Sequence, residues 1–367
     1  MYSRRVRSDD DQASRSAARA SKSTARSEPP ARSDLRSADA DAAPDPLSTV
    51  LDAVRLRGAL FFVVDAGAPW YAEAPAGSAL APVIMTGCGH VISYHLVTAG
   101  SCYCALPGMP LTRVDAGDVI VVPHGTPYSL STTPRDYHAS PLESLLPFFS
   151  QMARGALPRV VVEGGATGER IGVACGFLGC DARPFNPLIA ALPPLIHMRR
   201  AQAGPQSPDR LAALIEFAQA ESRQPRAGSD CVLLRISELL FVELVRSYVA
   251  TLPAQQTGWL AGLRDPIVAR ALALLHQQPA AAWTLERLAD QAAASRSTLA
   301  ARFAHFVGQP PMQYLTSWRM QLATRLLADS ANKVSAVALA VGYDSEAAFS
   351  RAFKKAVGAS PSAWRSR

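Results

Sequence analysis

The sequence predicts an α+β multidomain protein: a β-barrel with a helical appendage, followed by an all-α domain with two helix-turn-helix units. Between residues 60 and 130, short β-branched and aromatic runs are punctuated by Gly and Pro, the texture of strands in a barrel or sandwich. Beyond Pro193-Pro194, apolar residues recur at three- and four-residue spacing, as on one face of a helix. Near the C-terminus, Leu299, Phe303, Gly308, Pro311 and Tyr314 recur as Phe349, Phe353, Gly358, Pro361 and Trp364, each offset by 50. A constant offset marks two copies of one unit.

Taken in order, residues 1–45 are rich in Ser, Ala, Arg and Asp with almost no large apolar residue. Such a segment cannot bury enough surface to offset the entropy of ordering, and it is expected to be a disordered tail. The barrel is expected over 46–205, with LFFVVD (60–65), HVISYHLVTAG (90–100), SCYCALP (101–107) and LTRVDAGDVIVVPHGTPYSL (111–130) as antiparallel strands. A proline-bounded helix falls near 142–153, a Gly-rich loop near 164–168, and CGFLGCD (175–181) returns as a strand. Helices at 209–222 and 230–250 make 206–257 a helical linker or dimerisation region, and 258–367 is the two-unit domain.

Within the first unit, Thr284 can cap TLERLADQA (284–292), and a short break leads into RSTLAARFAHFVG, where Leu299, Phe303 and Phe306 share a face and Gly308 ends the helix. In the second, Val334, Val337, Ala338 and Val341 line one helix, Gly342-Tyr343 turns the chain, and Phe349 and Phe353 anchor the next. Between them, Pro311–Leu327 carries Leu315, Trp318, Leu322 and Leu326 on one stripe. A continuous helix there would set the spacing of the two units.

Charge supports a partner for that domain. Of the net +7, almost all lies in residues 265–367, which hold 12 Lys and Arg against 6 Asp and Glu; residues 47–264 hold 16 of each. A localised basic domain with a repeated helix-turn-helix is the footprint of nucleic-acid binding. Candidate base readers in the first unit are Ser295, Arg296, Ser297, Thr298 and Arg302, with His305 at the rim; in the second, Ser345, Glu346, Ser350, Arg351 and Lys354 occupy the comparable face. Arg is the strongest of these, because it pairs with guanine in two places at once. The most apolar long stretch, 231–252, is interrupted by Arg235, Glu238, Glu243 and Arg246, which excludes a membrane span there. Six unevenly spaced cysteines and no apolar leader fit a reducing, cytoplasmic setting.

The run VGYDSEAAFSRAFKKAVGASPSAWR (341–365), with WRMQLATRLL (318–327) before it, closely resembles the second unit and linker helix of the AraC/XylS family of transcriptional regulators. Upstream, DPLSTVL (45–51), GDVIVVPHG (117–125), CGFLGCDARPFNPLIAALPPLIH (175–197) and WLAGLRDP (259–266) look like the cupin-type sensor domain of one branch of that family. The resemblance implies a cupin-like barrel that binds an unknown small-molecule effector and a reader of double-stranded promoter DNA. It also makes RNA polymerase and a second copy of the chain further expected partners, with no cofactor and no enzymatic activity.

Cupins often hold a metal through three histidines and a carboxylate, and His90, His95, His124 and His138 lie in the right region. No His-x-His occurs, and Tyr128 stands where the motif can place a histidine, so no metal is expected. His95, His124 and Tyr128 are kept as effector-binding candidates. Two competing readings follow from the same half. One is a redox-sensing regulator in which Cys88, in TGCGH beside His90, has a depressed thiol pKa; the other is a metal-dependent cupin enzyme using His95 and His124. Cys102 and Cys104, at alternate positions of one strand, suit core packing.

Overall fold

The computed structural model describes residues 45–165, 168–181, 183–199, 210–253, 255–329 and 332–366. The expected tail, apart from Asp45, lies outside the described residues.

The chain opens with helix α1 (Pro46–Ala53) and continues through β1 (Arg57–Gly67), β2 (Tyr71–Ala74), α2 (Gly77–Ile84), β3 (His90–Ala99), β4 (Ser101–Ala105), β5 (Thr112–Asp115), β6 (Val119–Val122) and β7 (Tyr128–Ser131). Then come α3 (Leu142–Ala153), β8 (Val160–Gly164), β9 (Arg170–Cys180), α4 (Pro187–Ala191), β10 (Ile196–Met198), α5 (Arg210–Arg223) and α6 (Ser229–Thr251). Two sheets result, one ordered β10-β6-β3-β9-β1-β8 and the other β2-β7-β4-β5. They enclose a core of Leu60, Phe62, Val64, Cys102, Cys104, Ile120 and Phe177 among others. Alternation along β1 makes this possible: Leu60, Phe62 and Val64 enter that core while Phe61 enters the layer behind it. The larger sheet is therefore apolar on both faces.

One strand pair departs from the all-antiparallel expectation. β8 runs parallel to β1, with Val63 opposite Val160 and Gly67 opposite Gly164. The chain reaches β8 only after α3, and a connection of that length allows a strand to arrive in either direction, whereas a tight hairpin does not.

Helices α5 and α6 cover the outer face of the larger sheet. The Tyr94 hydroxyl donates to Ser237 Oγ at 2.8 Å across this layer, and a Cβ at Gly58 would lie 2.4 Å from the Leu234 carbonyl oxygen. Gly176 has a related reason: a Cβ there would sit 2.0 Å from the Tyr94 ring. Glycine lets the helix backbone and the phenol ring approach the sheet.

The remainder is helical: α7 (Trp259–Gly262), α8 (Pro266–Gln277), α9 (Leu285–Gln291), α10 (Arg296–Val307), α11 (Pro311–Asp329), α12 (Val334–Ala340), α13 (Glu346–Val357) and α14 (Pro361–Arg365). Helices α9–α10 and α12–α13 are the two expected helix-turn-helix pairs. Phe349 and Phe353, fully buried, join Met320, Ala323, Leu327, Val337 and Val341 in a core belonging to the second pair alone. Truncating Phe353 to Ala should therefore cost about 3–5 kcal/mol. Thermal unfolding followed by circular dichroism is expected to show an early loss of helical signal.

Candidate nucleic-acid interface and sensor interior

Each recognition helix is built the same way. Ser295 caps α10, its Oγ accepting the Thr298 N–H at 3.1 Å, and Ser345 caps α13, accepting the Ala348 N–H at 3.1 Å. Gly308 and Gly358, at φ 77° and 81°, close the two helices in the left-handed region. Leu299 and Phe303, like Phe349 and Phe353, point into the core. The opposite side of each first turn is left to solvent, and Ser295, Arg296, Ser297, Thr298, Ser345 and Glu346 are all exposed.

The candidate readers are not equally free. Ser295 Oγ also lies 3.0 Å from Ser297 Oγ and 2.8 Å from Thr298 Oγ1, so a hydroxyl cluster occupies the start of α10. Arg296 reaches back to Glu286 on α9 at 2.5 Å, an exposed pair in which phosphate or guanine can replace the carboxylate. Arg302 is committed elsewhere: its guanidinium grips the buried carboxylate of Asp265, with Nε at 2.9 Å. That carboxylate also caps α8 by accepting the Ile267 and Val268 N–H groups. Burial alone would raise the Asp265 pKa, but Arg302 and the two amides outweigh it and hold the acid below its ordinary range. In the second unit Arg351 and Lys354 are exposed and Ser350 is half-buried. The sequence reading passed over Lys355, which joins Lys354 in the last turn of α13, although the AFKK run already carried it.

Inside the sensor, the expected effector residues divide. His95 Nε2 lies 2.5 Å from the Tyr128 hydroxyl, and both side chains are buried between the sheets beside Phe177. Burial lowers the His95 pKa to about 3 and raises that of Tyr128, so the imidazole is neutral at any ordinary pH. His95 Nδ1 has no hydrogen-bond partner. His124 is not part of this pair; its Nε2 meets the Leu192 carbonyl at 2.8 Å, as His90 Nε2 meets that of Pro123 at 2.6 Å. His138 is exposed. Among the described residues, no three His, Cys, Asp or Glu side chains are arranged to hold a metal ion. A narrow apolar cleft lies on the other side of the larger sheet, lined by Phe61, Tyr94, Leu96, Leu211, Ile215 and Leu240.

The expectation for Cys88 is corrected. Its thiol is half-buried and donates to the carbonyls of His90 at 2.8 Å and Cys180 at 3.6 Å; burial pushes its pKa up rather than down. A hydrogen bond donated to a carbonyl favours the thiol, and the charge of Arg57, which acts in the opposite sense, is outweighed by burial.

The sensor and the DNA-reading helices meet along a seam that the sequence did not announce. Helix α1, capped by Asp45, places Leu47, Val50 and Ala53 in one core with Val268, Leu272 and Leu275 of α8. Arg325 of α11 pairs with Asp52 at 2.7 Å, the Phe185 N–H donates to Gln321 Oε1 at 3.1 Å, and the Phe185 ring meets Tyr314 edge-on at 5.3 Å. Trp318 Nε1 and Gln321 Nε2, both fully buried, lack partners. His276, buried and stacked on Trp318 at 4.2 Å, places its Nε2 2.7 Å from the Tyr314 hydroxyl.

With this geometry in view, comparison with known proteins is decisive. Residues 45–250 match the cupin family model and residues 288–367 a helix-turn-helix domain model. An AraC-like transcription regulator of Streptomyces lividans is 32% identical over 323 residues, 88% of this chain and 98% of that protein. The chain belongs to the AraC-like transcription regulators. A second relative of this AraC-like protein, the HTH-type transcriptional regulator AlkR of Acinetobacter baylyi, is 30% identical across 88% of the chain and 99% of its own length. The DNA-binding domain of AdpA, solved with a target DNA, is 34% identical and covers 28% of this chain and 91% of that one, at a TM-score of 0.27. The matched relatives are regulators rather than enzymes, and no helix among the described residues is long and apolar enough to cross a membrane.

Two outcomes are expected here. Timed alkylation of the native regulator at pH 8, read by peptide mass spectrometry, should modify exposed Cys231 first and Cys88 more slowly than a free peptide thiol; a Cys88 that reacts ahead of Cys231 would restore the thiolate reading. The Asp265 carboxylate should contribute stability above its unfolded pKa near 4 that is lost as pH falls through its lower folded value. Acid titration of the melting temperature should show that loss in the native protein and a smaller one in Arg302→Ala.

Proposed function

We propose that this regulator reads promoter DNA with both helix-turn-helix units and that an effector in the sensor changes its DNA affinity through the seam at α1. The observation that carries the proposal is the docking of the sensor's first helix against α8 and α11, the helices that hold the DNA-reading units in place. Leu47, Val50 and Ala53 pack into one core with α8, so an effector that favours a different placement of α1 would act directly on the helices that hold the DNA-reading units. An effector shifts that arrangement only by as much as its affinities for the two placements differ.

Roles follow the geometry. Arg296, Ser297 and Thr298 read bases in one major-groove segment; Ser295 and Ser345 hold their helices and offer N-terminal amides to phosphate. Ser350, Arg351 and Lys354 anchor the second unit, with Glu346 favouring the start of α13. Arg302 holds α10 against α8. For the effector, a ligand reaching His95 and Tyr128 must part the two sheets, whereas one entering the apolar cleft passes between α5, α6 and the larger sheet. The second route is the one we propose. RNA polymerase and a second copy of the chain complete the proposed partners, with residues 206–257 as the dimer-forming region and a cytoplasmic location.

Selection of bound duplexes from a random-sequence library tests the DNA reading. Two half-sites about 34–36 Å apart along the DNA are expected. Arg296→Ala should flatten base preference at one half-site about tenfold, while Arg351→Ala should weaken all sequences evenly and reduce the salt slope by about 1. Loosening the seam with Val50→Ala should raise DNA affinity in the absence of effector, measured by fluorescence anisotropy. Unchanged affinity would remove α1 from the pathway.

A further inference from the structure

The two DNA-reading units have separate cores, and α11 serves both: Leu315 and Trp318 enter the first, Met320, Ala323 and Leu327 the second. A shared helix fixes distance, yet helices bend and twist. A second connection is needed to fix orientation.

That connection is made by Arg319, half-buried on α11. Its Nε donates to the Pro279 carbonyl at 2.7 Å and its Nη2 to the Ala281 carbonyl at 2.9 Å, both in the turn between α8 and α9 of the first unit. The same guanidinium lies 5.8 Å from the centroid of the Tyr343 ring in the turn of the second unit. There the units touch. Gly342 is at φ 85°, and a Cβ on it would come within 2.7 Å of Arg319 Nη2 and 2.8 Å of the Ala280 Cα. The turn of the second unit presses directly on the loop of the first, with Arg319 clamped in the joint.

We infer that Arg319 is a positioning residue that fixes the orientation of the two units on their shared helix and so restricts the half-site arrangement this regulator accepts. Its planar fork satisfies two carbonyls of one unit while turning toward the aromatic ring of the other; a lysine ammonium has the charge but not the fork. It acts on DNA only through the orientation of α10 and α13. The inference rests on both units reading DNA, and the test separates the two claims.

Full-length protein first selects duplexes from a random library, which defines the bipartite site. Binding is then measured on that site and on versions with one or two base pairs inserted between the half-sites, each pair adding about 3.4 Å and one tenth of a turn. Wild type is expected to lose at least about thirtyfold on insertion, and Arg319→Ala only about threefold, because a loosened joint follows the displaced half-site. Arg319→Lys should fall between them, and it replaces the alanine variant if that one does not fold. A variant that weakens on every duplex but keeps the wild-type penalty for insertion overturns the positioning role and leaves a merely structural one. If wild type selects a single half-site, the two-unit reading falls and the inference with it.

Discussion

The helix α11 buries two faces at once, and the arrangement of the DNA-reading half depends on it. Leu315 and Trp318 close the core of the first helix-turn-helix pair, and Met320, Ala323 and Leu327 close that of the second. Because both cores need it, neither unit can pack without fixing the other's distance. Interiors are close-packed and resist small shifts, so the spacing of α10 and α13 becomes a property of the fold rather than of the bound DNA.

The same helix receives the sensor. Its Arg325 and Gln321 take contacts from α1 and from the segment before α4, while α8 accepts the apolar side of α1. This seam combines good apolar burial with polar atoms that find no partner. Each such atom costs more to bury than a paired one. One helix of the N-terminal half therefore bears directly on the helix that spaces the two helix-turn-helix pairs.

The chemistry read into the sensor half was decided by burial. His95 and Tyr128 do come together, but in a buried core that keeps the imidazole neutral, with His124 turned to a backbone carbonyl. Cys88 sits beside His90 as the sequence shows, yet the neighbour it meets is a carbonyl oxygen and not the ring. Adjacency in sequence named the residues without naming the atoms that face one another.

What the sequence determined by itself was everything carried by local spacing. The offset of 50 located both helix-turn-helix pairs, Gly308 marked the end of the first recognition helix, and alternation placed Cys102 and Cys104 in the core. Caps, turns and amphipathic faces depend on neighbours within a few residues, which is why they are legible. The tertiary structure alone decided which charged groups are free to meet DNA. Arg302 and Arg319 have the same side chain and lie in the same basic domain, but Asp265 claims one and the carbonyls of Pro279 and Ala281 the other. Asp52 and Arg325 meet from opposite ends of the chain. A partner that distant leaves no periodic trace in the sequence, because only the folded path brings it within reach of a hydrogen bond.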